Sequence, residues 1–397
     1  MLDRRAFLAT PLAASFADLA GAASDGSLRS HIRRNPLAIA MWDFSWLERR
    51  WPCAGYEDWD EALDGLKARG YDAVRIDPYP HLIQYGAERV WELLPVWSVQ
   101  DWGAPARCRV QVQPSLNRFL KKCAERGICA GLSTWFRQDV DDQRMRIKGP
   151  ADLAQVWKSA LDSIAAEGLI SNILYVDLCN EFPLDIWAPF TPTGLKRQSP
   201  EGVRWMAESV TPLRKYYPTL DYTFSFTSEY ETWQRQDVSM LDFLELHLWM
   251  ATCSDFYQEV GYHFERFDTK GYDNLQLNAE RVYRSKPDYW KSRLAHGIDQ
   301  LAAWSKFAHK PLLTTECWSL VDYKDYPLLS WDWLKELCEL GVTHAADQGC
   351  WAALATSNFC GPQFCGMWRD VNWHRTLTDV IHGATLPWQG PKRSQSD

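Results

Sequence analysis

The sequence predicts an α/β fold, a (β/α)₈ barrel that forms a single domain with elaborated βα loops. Eight apolar, strand-like runs are separated by helical segments, a pattern typical of βαβ units and a parallel sheet. No glycine-rich phosphate turn follows the first run, which argues against a doubly wound nucleotide-binding sheet. Polar or aromatic residues follow nearly every run, and in a barrel such positions meet at the carboxyl-terminal face, where active sites lie.

The predicted strands are short apolar runs, and they comprise residues 37–43, 73–77, 128–134, 173–180, 222–227, 241–248, 311–316 and 343–351. The predicted helices carry apolar residues at helical spacing, and they comprise residues 59–69, 115–126, 151–167, 200–216, 288–307 and 331–340. Glycine follows several of these helices, as is common after a last helical turn. The connection between the fifth and sixth strands is too short for a full helix.

The composition is that of an ordinary globular protein with an unusual number of tryptophans. The chain has 397 residues and a net charge of −8, which argues against a nucleic-acid partner. It has 22 Trp, 16 Tyr and 16 Phe. Aromatic side chains dominate both protein cores and binding surfaces, so we assign roughly two-thirds of them to the core and one-third to a ligand groove. No linker or repeat interrupts residues 30–390, which we expect to form one catalytic domain and a monomer.

The N-terminus predicts export. Arg4 and Arg5 resemble a twin-arginine motif, a weakly apolar stretch follows, and residues 20–22 offer a small-residue cleavage site. We therefore expect residues 1–23 to be a signal peptide and the protein to be periplasmic or secreted; the alternative is an amphipathic helix. No later run is long and apolar enough to span a bilayer, and no cysteine suggests a lipid anchor.

The 11 cysteines show no paired spacing typical of a structural zinc site. Cys179, Cys317 and Cys350 lie in apolar segments and are expected to be small core residues. Cys360 and Cys365 flank a glycine and a proline, so a small loop disulfide and two free thiols are equally open interpretations.

Two apolar runs end abruptly in a carboxylate. Glu181 follows the fourth predicted strand, and Glu316 ends the seventh. They lie far apart in the chain, but barrel strands would bring them to the same face. Cleavage of a glycosidic bond needs two facing carboxyl groups, one to protonate the leaving oxygen and one to attack or assist at the sugar carbon. We therefore expect Glu181 and Glu316 to form a catalytic pair, although either alone would more often be a solvated loop residue.

Asn180 and Glu181 would point to opposite faces of a regular strand. Both can reach one site only where the backbone leaves extended geometry, and the following Phe182 and Pro183 fit such a break. Glu181 must be protonated to act as an acid, so we expect its pKa to be raised by a partly dry site beside an anionic partner.

Arg75 and His247 lie inside apolar strands, where a polar side chain is costly without a partner. Arg75 could hold Glu316 ionised, or it could form a structural ion pair at the barrel rim. His247 shares a strand face with Glu245, and is either a core histidine or part of the site. The other candidate substrate-binding residues follow or end predicted strands: Trp42, Asp77, Trp135, Asn180, Trp249, Trp318 and Trp351.

These strand-end residues resemble those of the retaining glycoside hydrolases of the cellulase superfamily (clan A), closest to glycoside hydrolase family 5 and its cellulase-like relatives. The positions involved run from about residue 37 to residue 351. Asn180 and Glu181 resemble the acid/base motif on strand four, and Glu316 resembles the nucleophile on strand seven. The resemblance implies a retaining mechanism that uses no metal ion and no organic cofactor.

The resemblance also implies roles for neighbouring residues. Asn180 would bind the sugar 2-hydroxyl, Arg75 would neighbour the nucleophile, and Trp351 would stack under the bound sugar. His247 matches the first residue of a His-x-Tyr pattern, but Trp249 stands where the family has tyrosine, and the usual histidine after strand three is missing. We therefore expect a member of the superfamily rather than a standard family 5 cellulase.

The function predicted from the sequence is hydrolysis of β-linked glycosidic bonds in an oligosaccharide or polysaccharide by double displacement. A carbohydrate-binding protein that has lost catalysis and a transglycosidase remain alternatives. Residues 78–106, 182–198 and 251–286 are expected to be the loops that shape the groove. Their aromatic side chains suit stacking on sugar rings and comprise Tyr79, His81, Trp91, Trp97, Trp102, Trp187, Tyr257 and Tyr262. The pattern does not identify the sugar or distinguish endo from exo action.

Overall fold

The computed structural model describes residues 35–97, 100–227, 230–325 and 329–386. The predicted signal peptide, residues 1–23, lies outside these ranges, as do the two ends of the predicted domain 30–390. No helix in the part of the chain that is described combines the length and apolar character needed to cross a membrane.

Eight parallel strands form the barrel, which confirms the predicted fold class. In chain order they are β1 (Leu37–Asp43), β2 (Ala73–Ile76), β3 (Cys129–Ser133), β4 (Ile173–Asp177), β5 (Tyr222–Thr223), β6 (Leu244–Glu245), β7 (Leu312–Thr314) and β8 (Trp351–Leu354). The hydrogen-bonded order is β5-β4-β3-β2-β1-β8-β7-β6. A parallel bridge between Phe226 and Leu246 joins the two ends of this order and closes the barrel.

Helices pack outside the strands. The longer ones are Trp59–Ala68, Val112–Glu125, Pro150–Ala166, Pro200–Tyr216, Lys270–Ser285, Pro287–Ala308, Asp332–Gln348 and Val371–Gly383. Side-chain caps satisfy exposed amide groups where several begin; Asp58, for example, accepts hydrogen bonds from the backbone N–H groups of Asp60 and Glu61. A 3₁₀ segment, Tyr230–Arg235, stands between β5 and β6, where the sequence left no room for a full helix.

The eighth strand is the largest error of the sequence prediction. Residues 343–351 were expected to be a strand, but the helix Asp332–Gln348 occupies most of them, and β8 begins at Trp351. Leu334, Leu337 and Cys338 continue into Val342 and Ala345 as one buried helical face, which is the apolar pattern that resembled a strand. Trp351 therefore opens β8 instead of ending it.

Other strands are shorter than expected, and the loops carry more structure. The sixth predicted strand is divided: β6 stops at Glu245, and Leu248–Trp249 then pairs with Cys317–Trp318. Residues 78–106 contain the helix Pro80–Gly86 and, with the segment that follows, a hairpin of Val90–Leu93 and Cys108–Gln111. Residues 251–286, expected to be a loop, form two helices.

Short helices complete the connections, and they are Ser45–Glu48, Phe256–Val260 and Cys365–Trp368, with 3₁₀ turns at Gln143–Arg146 and Ile170–Asn172.

Cys360 is buried and Cys365 exposed, and both are free thiols, so the disulfide interpretation is wrong. Cys179, Cys317 and Cys350 are buried, as expected of small core residues.

The barrel interior has an apolar layer below a charged one. The apolar cluster contains Ile39, Ala73, Tyr175, Phe243 and Leu313. Because side chains alternate between strand faces, positions two residues further along point to the same side. On four of these strands those positions carry the buried polar residues Arg75, Asp177, Glu245 and Thr315. The two-residue alternation of side chains along each strand therefore places polar groups at the carboxyl-terminal end of an otherwise apolar barrel interior.

Candidate active site

Arg75 lies at the centre of the charged layer and is fully buried. Its guanidinium donates two hydrogen bonds to Asp43, at 2.7 and 2.8 Å, and one to Glu316 Oε1 at 2.5 Å. It also donates to Thr315 Oγ1 at 2.6 Å and to Asn180 Oδ1 at 3.1 Å. Burial lowers the pKa of Arg75, but the negative charges of Asp43 and Glu316 raise it well above its usual value, so the group stays cationic.

Glu181 and Glu316 converge at the carboxyl-terminal end of the barrel. Glu181 follows β4 in a left-handed conformation with φ of 49°, so the chain leaves extended geometry where the sequence required it. Its backbone N–H donates to Ser225 Oγ at 2.8 Å, which fixes this turn. One carboxylate oxygen of each glutamate and Nδ1 of His247 all lie within 4.8 Å of one another.

His247 lies between the two glutamates and a third acid. Its Nδ1 is 3.0 Å from Glu181 Oε1 and 3.5 Å from Glu316 Oε1, and its Nε2 is 3.3 Å from Glu245 Oε1. The imidazole is thus closer to Glu181 than to Glu316. Arg75 donates a hydrogen bond to Glu316, and the charge of His247 acts on both glutamates.

The proton affinities of the two glutamates are the reverse of those expected. Burial raises the pKa of Glu316 to about 7, although His247 and Arg75 act to lower it. Burial also acts to raise the pKa of Glu181, but the hydrogen bond and charge of His247 outweigh it and bring that pKa below its usual value. In the free protein the first proton taken up by this pair therefore favours Glu316.

Three of the predicted substrate-binding residues face this centre. Asn180 is buried, and its Nδ2 has no hydrogen-bond partner among the residues that the structure describes. Trp249 is also buried, with its ring 5.9 Å from that of His247 and its Nε1 without a described partner. The ring of Trp135 lies 5.9 Å from the Arg75 guanidinium carbon. A buried donor without a partner is costly, so Asn180 and Trp249 are suited to bind a polar ligand.

Asp77 supports the site from below. It accepts hydrogen bonds from the backbone N–H groups of Tyr79 and Trp135, at 2.7 and 2.9 Å. It thereby connects the loops that follow β2 and β3. Burial raises its pKa to about 7. Its contacts are those of a residue that positions loops, and they replace the substrate contact expected from the sequence.

Three predicted substrate-binding tryptophans are packed in the core. Trp42 donates to the backbone oxygen of Cys360 at 3.2 Å, and Trp351 donates to Thr314 Oγ1 at 2.9 Å. Trp318 donates to the backbone oxygen of Ala355 at 3.0 Å, and it packs so closely on Gly341 that a Cβ there would lie 2.5 Å from the ring. All three are buried, and each indole N–H has a partner within the protein, so the expected sugar contacts of these three residues stay predictions.

An aromatic wall, formed by Trp97, Trp135 and Trp187, stands beside Glu181. The ring of Trp187 lies 5.8 Å from that of Trp97 and 4.5 Å from that of Trp135. Trp187 Nε1 donates to Glu181 Oε2 at 3.3 Å. Glu181 also lines a pocket of about 130 Å³, together with Phe182, Pro183, Leu184, Leu195, Lys196, Arg197 and Thr227. Glu181 therefore contacts the aromatic wall through Trp187 and borders a separate small cavity.

Asp43, Glu245 and Asp322 were not identified as site candidates from the sequence; Asp43 ends β1 and accepts two hydrogen bonds from Arg75. Glu245 contributes to the charged layer, and its position two residues before His247 was the available signal. Asp322 lies in the loop after β7, where it accepts hydrogen bonds from Gln100 and Tyr262. Burial, with a smaller effect from the charge of Glu181, raises the pKa of Asp322 to about 7, although the hydrogen bond from Tyr262 acts to lower it. No sequence signal indicated Asp322, because its partners come from two other loops.

Histidine and glutamate are also residue types that bind metal ions. Here, however, Arg75 donates to Glu316 and brings a fixed positive charge into the group. This guanidinium already balances part of the negative charge that a metal ion would otherwise neutralise. The arrangement is better suited to sharing protons among carboxylates and an imidazole.

Comparisons with known proteins agree with the barrel fold. A family model described as "Sugar-binding cellulase-like" matches residues 39–382. A crystal structure from Parabacteroides distasonis ATCC 8503, provisionally described as a glycoside hydrolase, is 51% identical, with a TM-score of 0.87 over 89% of this chain and 95% of that one. A GH5_18 protein from Streptomyces cattleya, in complex with GlcNAc, shares the fold at a TM-score of 0.51 and 12% identity, over 90% of this chain and 82% of its own. A search of curated proteins gave no match.

We predict that Arg75→Met destabilises the fold strongly. The substitution leaves Asp43, Glu245 and Glu316 buried without their guanidinium partner, and loss of one member of a buried ion pair costs about 3–5 kcal/mol. Urea unfolding measures the change. Arg89→Met, which removes a half-exposed ion pair with Asp141, is the matched control and is expected to unfold close to the wild-type midpoint. Equal midpoints for the two variants would contradict the central role of Arg75.

Proposed function

The chain belongs to the cellulase-like family, and on this premise we propose that it is a retaining glycoside hydrolase that cleaves β-linked bonds in an oligosaccharide or polysaccharide. The observation that supports the proposal most strongly is the approach of Glu181 and Glu316, whose carboxylate oxygens lie within 4.8 Å. Retaining enzymes hold their two carboxyl groups about 5–5.5 Å apart, whereas inverting enzymes need about 6.5–9.5 Å to admit a water molecule.

In the proposed reaction, Glu316 attacks the anomeric carbon while Glu181 donates a proton to the departing oxygen. A covalent glycosyl-enzyme forms, and Glu181 then removes a proton from the water that hydrolyses it. Glu316 must be ionised to attack, and the hydrogen bond from Arg75 stabilises its carboxylate. Glu181 lines a pocket of about 130 Å³, and in this proposal the pocket receives part of the leaving group.

The surrounding side chains favour a neutral sugar. Asn180 Nδ2 and Trp249 Nε1 offer buried hydrogen-bond donors to hydroxyl groups, since neither has a partner among the described residues. The acids Asp43, Glu181, Glu245 and Glu316 are opposed only by Arg75 and His247 within the contacts of this cluster. A carboxylated or sulfated ring would therefore meet excess negative charge at the reacting centre.

The proposal predicts that Glu316→Gln and Glu181→Gln each lose activity without unfolding. On unactivated β-glycosides each variant is expected to lose about 10²–10⁴-fold in kcat, since each removes a reacting carboxyl group. On a dinitrophenyl glycoside, whose leaving group needs no proton, Glu181→Gln should form the glycosyl-enzyme at close to the wild-type rate. Glu316→Gln should not form it at a comparable rate.

The measurements are initial rates on a panel of polysaccharides and aryl glycosides, with ¹H NMR of the first anomer released. Glu336→Gln, which changes a partly exposed acid paired with Arg284, is the matched control and is expected to behave as wild type. Wild-type rates for Glu316→Gln, or an inverted first product, would refute the mechanism. Binding of a glycan with no turnover of any substrate would indicate a carbohydrate-binding protein.

We also propose that the protein is exported through a twin-arginine signal. Arg4 and Arg5, the apolar stretch after them and the small residues at 20–22 support this, all in a part of the chain that the structure does not describe. Arg4→Lys combined with Arg5→Lys should leave the protein inside the cytoplasm with its N-terminus uncut. Fractionation and N-terminal sequencing measure this, and unchanged export of the double variant would exclude the twin-arginine route.

A further inference from the structure

We propose that His247 holds the proton that Glu181 delivers, and that the buried Glu245 is a positioning residue that keeps this proton on the imidazole. This inference rests on the proposed function, because it concerns how the acid of that reaction is supplied. Glu245 would contact neither the sugar nor the reacting atoms. It would act through His247 alone.

Glu245 is fully buried in the charged layer, directly beneath His247. Its Oε1 accepts a hydrogen bond from the backbone N–H of Thr315 at 3.1 Å and another from the Thr315 hydroxyl. The same oxygen lies 3.3 Å from His247 Nε2 and 3.5 Å from Arg75 Nη1. Its second oxygen has no hydrogen-bond partner among the described residues. A buried carboxylate is costly, so its proximity to an imidazole calls for a charge on that ring.

The positions of the two ring nitrogens suit an imidazolium. With both nitrogens protonated, Nδ1–H donates to Glu181 Oε1 at 3.0 Å, and Nε2–H lies at an ion-pair distance of 3.3 Å from Glu245 Oε1. The alternative is a neutral ring whose Nε2 accepts a hydrogen bond from Arg75 Nη1, 3.2 Å away. That tautomer would leave Glu245 without an N–H from His247, although Arg75 Nη1 carries two N–H groups and can donate to both Thr315 and His247.

The charges around the ring decide between these states. His247 faces Glu181 after β4, Glu316 after β7, Glu245 on β6 and Arg75 on β2. Three carboxylates thus surround the ring against one guanidinium, and that guanidinium is also paired with Asp43. Burial lowers the pKa of His247, but Glu316, Glu181 and Glu245 raise it to about 10. At neutral pH the imidazolium is the favoured form.

A proton held on His247 explains how Glu181 can act as the general acid although its own pKa is lowered. At rest Glu181 is a carboxylate and His247 carries the proton. As the bond to the leaving group breaks, the proton on Nδ1 passes to Glu181, which delivers it to the leaving oxygen; Glu181 is again a carboxylate and the ring is neutral, with Nε2–H still directed at Glu245. In the second half, Glu181 removes one proton from the attacking water and passes it to Nδ1, which restores the imidazolium. The proton count of the site is therefore restored after each turnover.

Glu245→Gln tests the inference, because it removes the charge while its side-chain oxygen can still accept from Thr315. We expect the His247 titration, followed by ¹⁵N NMR of the imidazole and assigned with His247→Gln, to move to lower pH by about one unit or more. The alkaline limb of kcat/KM should move in the same direction. Activity on poor leaving groups should fall about tenfold or more, and activity on a dinitrophenyl glycoside should change little.

Tyr175→Phe is the matched control. Tyr175 is buried in the apolar layer, and its hydroxyl has no hydrogen-bond partner among the described residues, so its loss should leave both the titration and the pH profile unchanged. Should Glu245→Gln fold poorly, Glu245→Asp keeps the charge and is expected to titrate nearer to wild type.

A neutral His247 in the wild-type protein at pH 7 would overturn the inference. So would an unchanged titration and alkaline limb in a folded Glu245→Gln variant. Failure of the wild-type protein to hydrolyse any glycoside would refute the proposed function instead, because the NMR titration reports the charge of His247 without turnover.

Discussion

The buried guanidinium of Arg75 is the interaction on which the site depends. It binds residues from β1, from the turn after β4 and from the turn after β7 at once, namely Asp43, Asn180 and Glu316. Without Arg75, the carboxylates of Asp43, Glu245 and Glu316 would lie buried together with no guanidinium to balance their charge. One cation on β2 therefore makes it possible for two glutamates from distant parts of the chain to approach each other in an ionisable state.

The distribution of protons around Arg75 is uneven, and this sets the chemistry. His247 and Arg75 both act to lower the pKa of Glu316, and His247 also lowers that of Glu181, yet burial leaves Glu316 with the higher pKa. An acid catalyst with a low pKa is a poor proton donor unless another group supplies the proton. The imidazole of His247, held from below by Glu245, is the group placed to do so.

The strand period and the strand ends made much of this site predictable. Glu181 and Glu316 each follow an apolar run, and Arg75 and His247 stand out inside strands where polar residues are costly. The direction of the pKa shifts could not be predicted, because it depends on distances of a few ångströms between strands. The eighth strand was misplaced since an apolar helical face and a buried strand look alike over a short window.

Tryptophan was the least reliable guide. Trp42, Trp318 and Trp351 lie near predicted strand ends, yet each donates its indole N–H to the protein and packs in the core. Trp187 and Trp135, in contrast, form a wall beside Glu181. Residue type cannot separate these cases, because an aromatic ring suits both a core and a sugar surface. Asp322 could not be predicted as a site residue for a different reason: its hydrogen-bond partners, Gln100 and Tyr262, come from two other loops.

The central claim is that a sugar carbon and the Glu316 carboxylate form a covalent bond. It is tested most directly by treating the protein with a 2-deoxy-2-fluoro glycoside that carries a dinitrophenyl leaving group and mapping the adduct by peptide mass spectrometry. The account predicts one glycosyl unit per chain, attached to Glu316 and absent in Glu316→Gln. A stable adduct on another residue, with Glu316 unmodified, would contradict it.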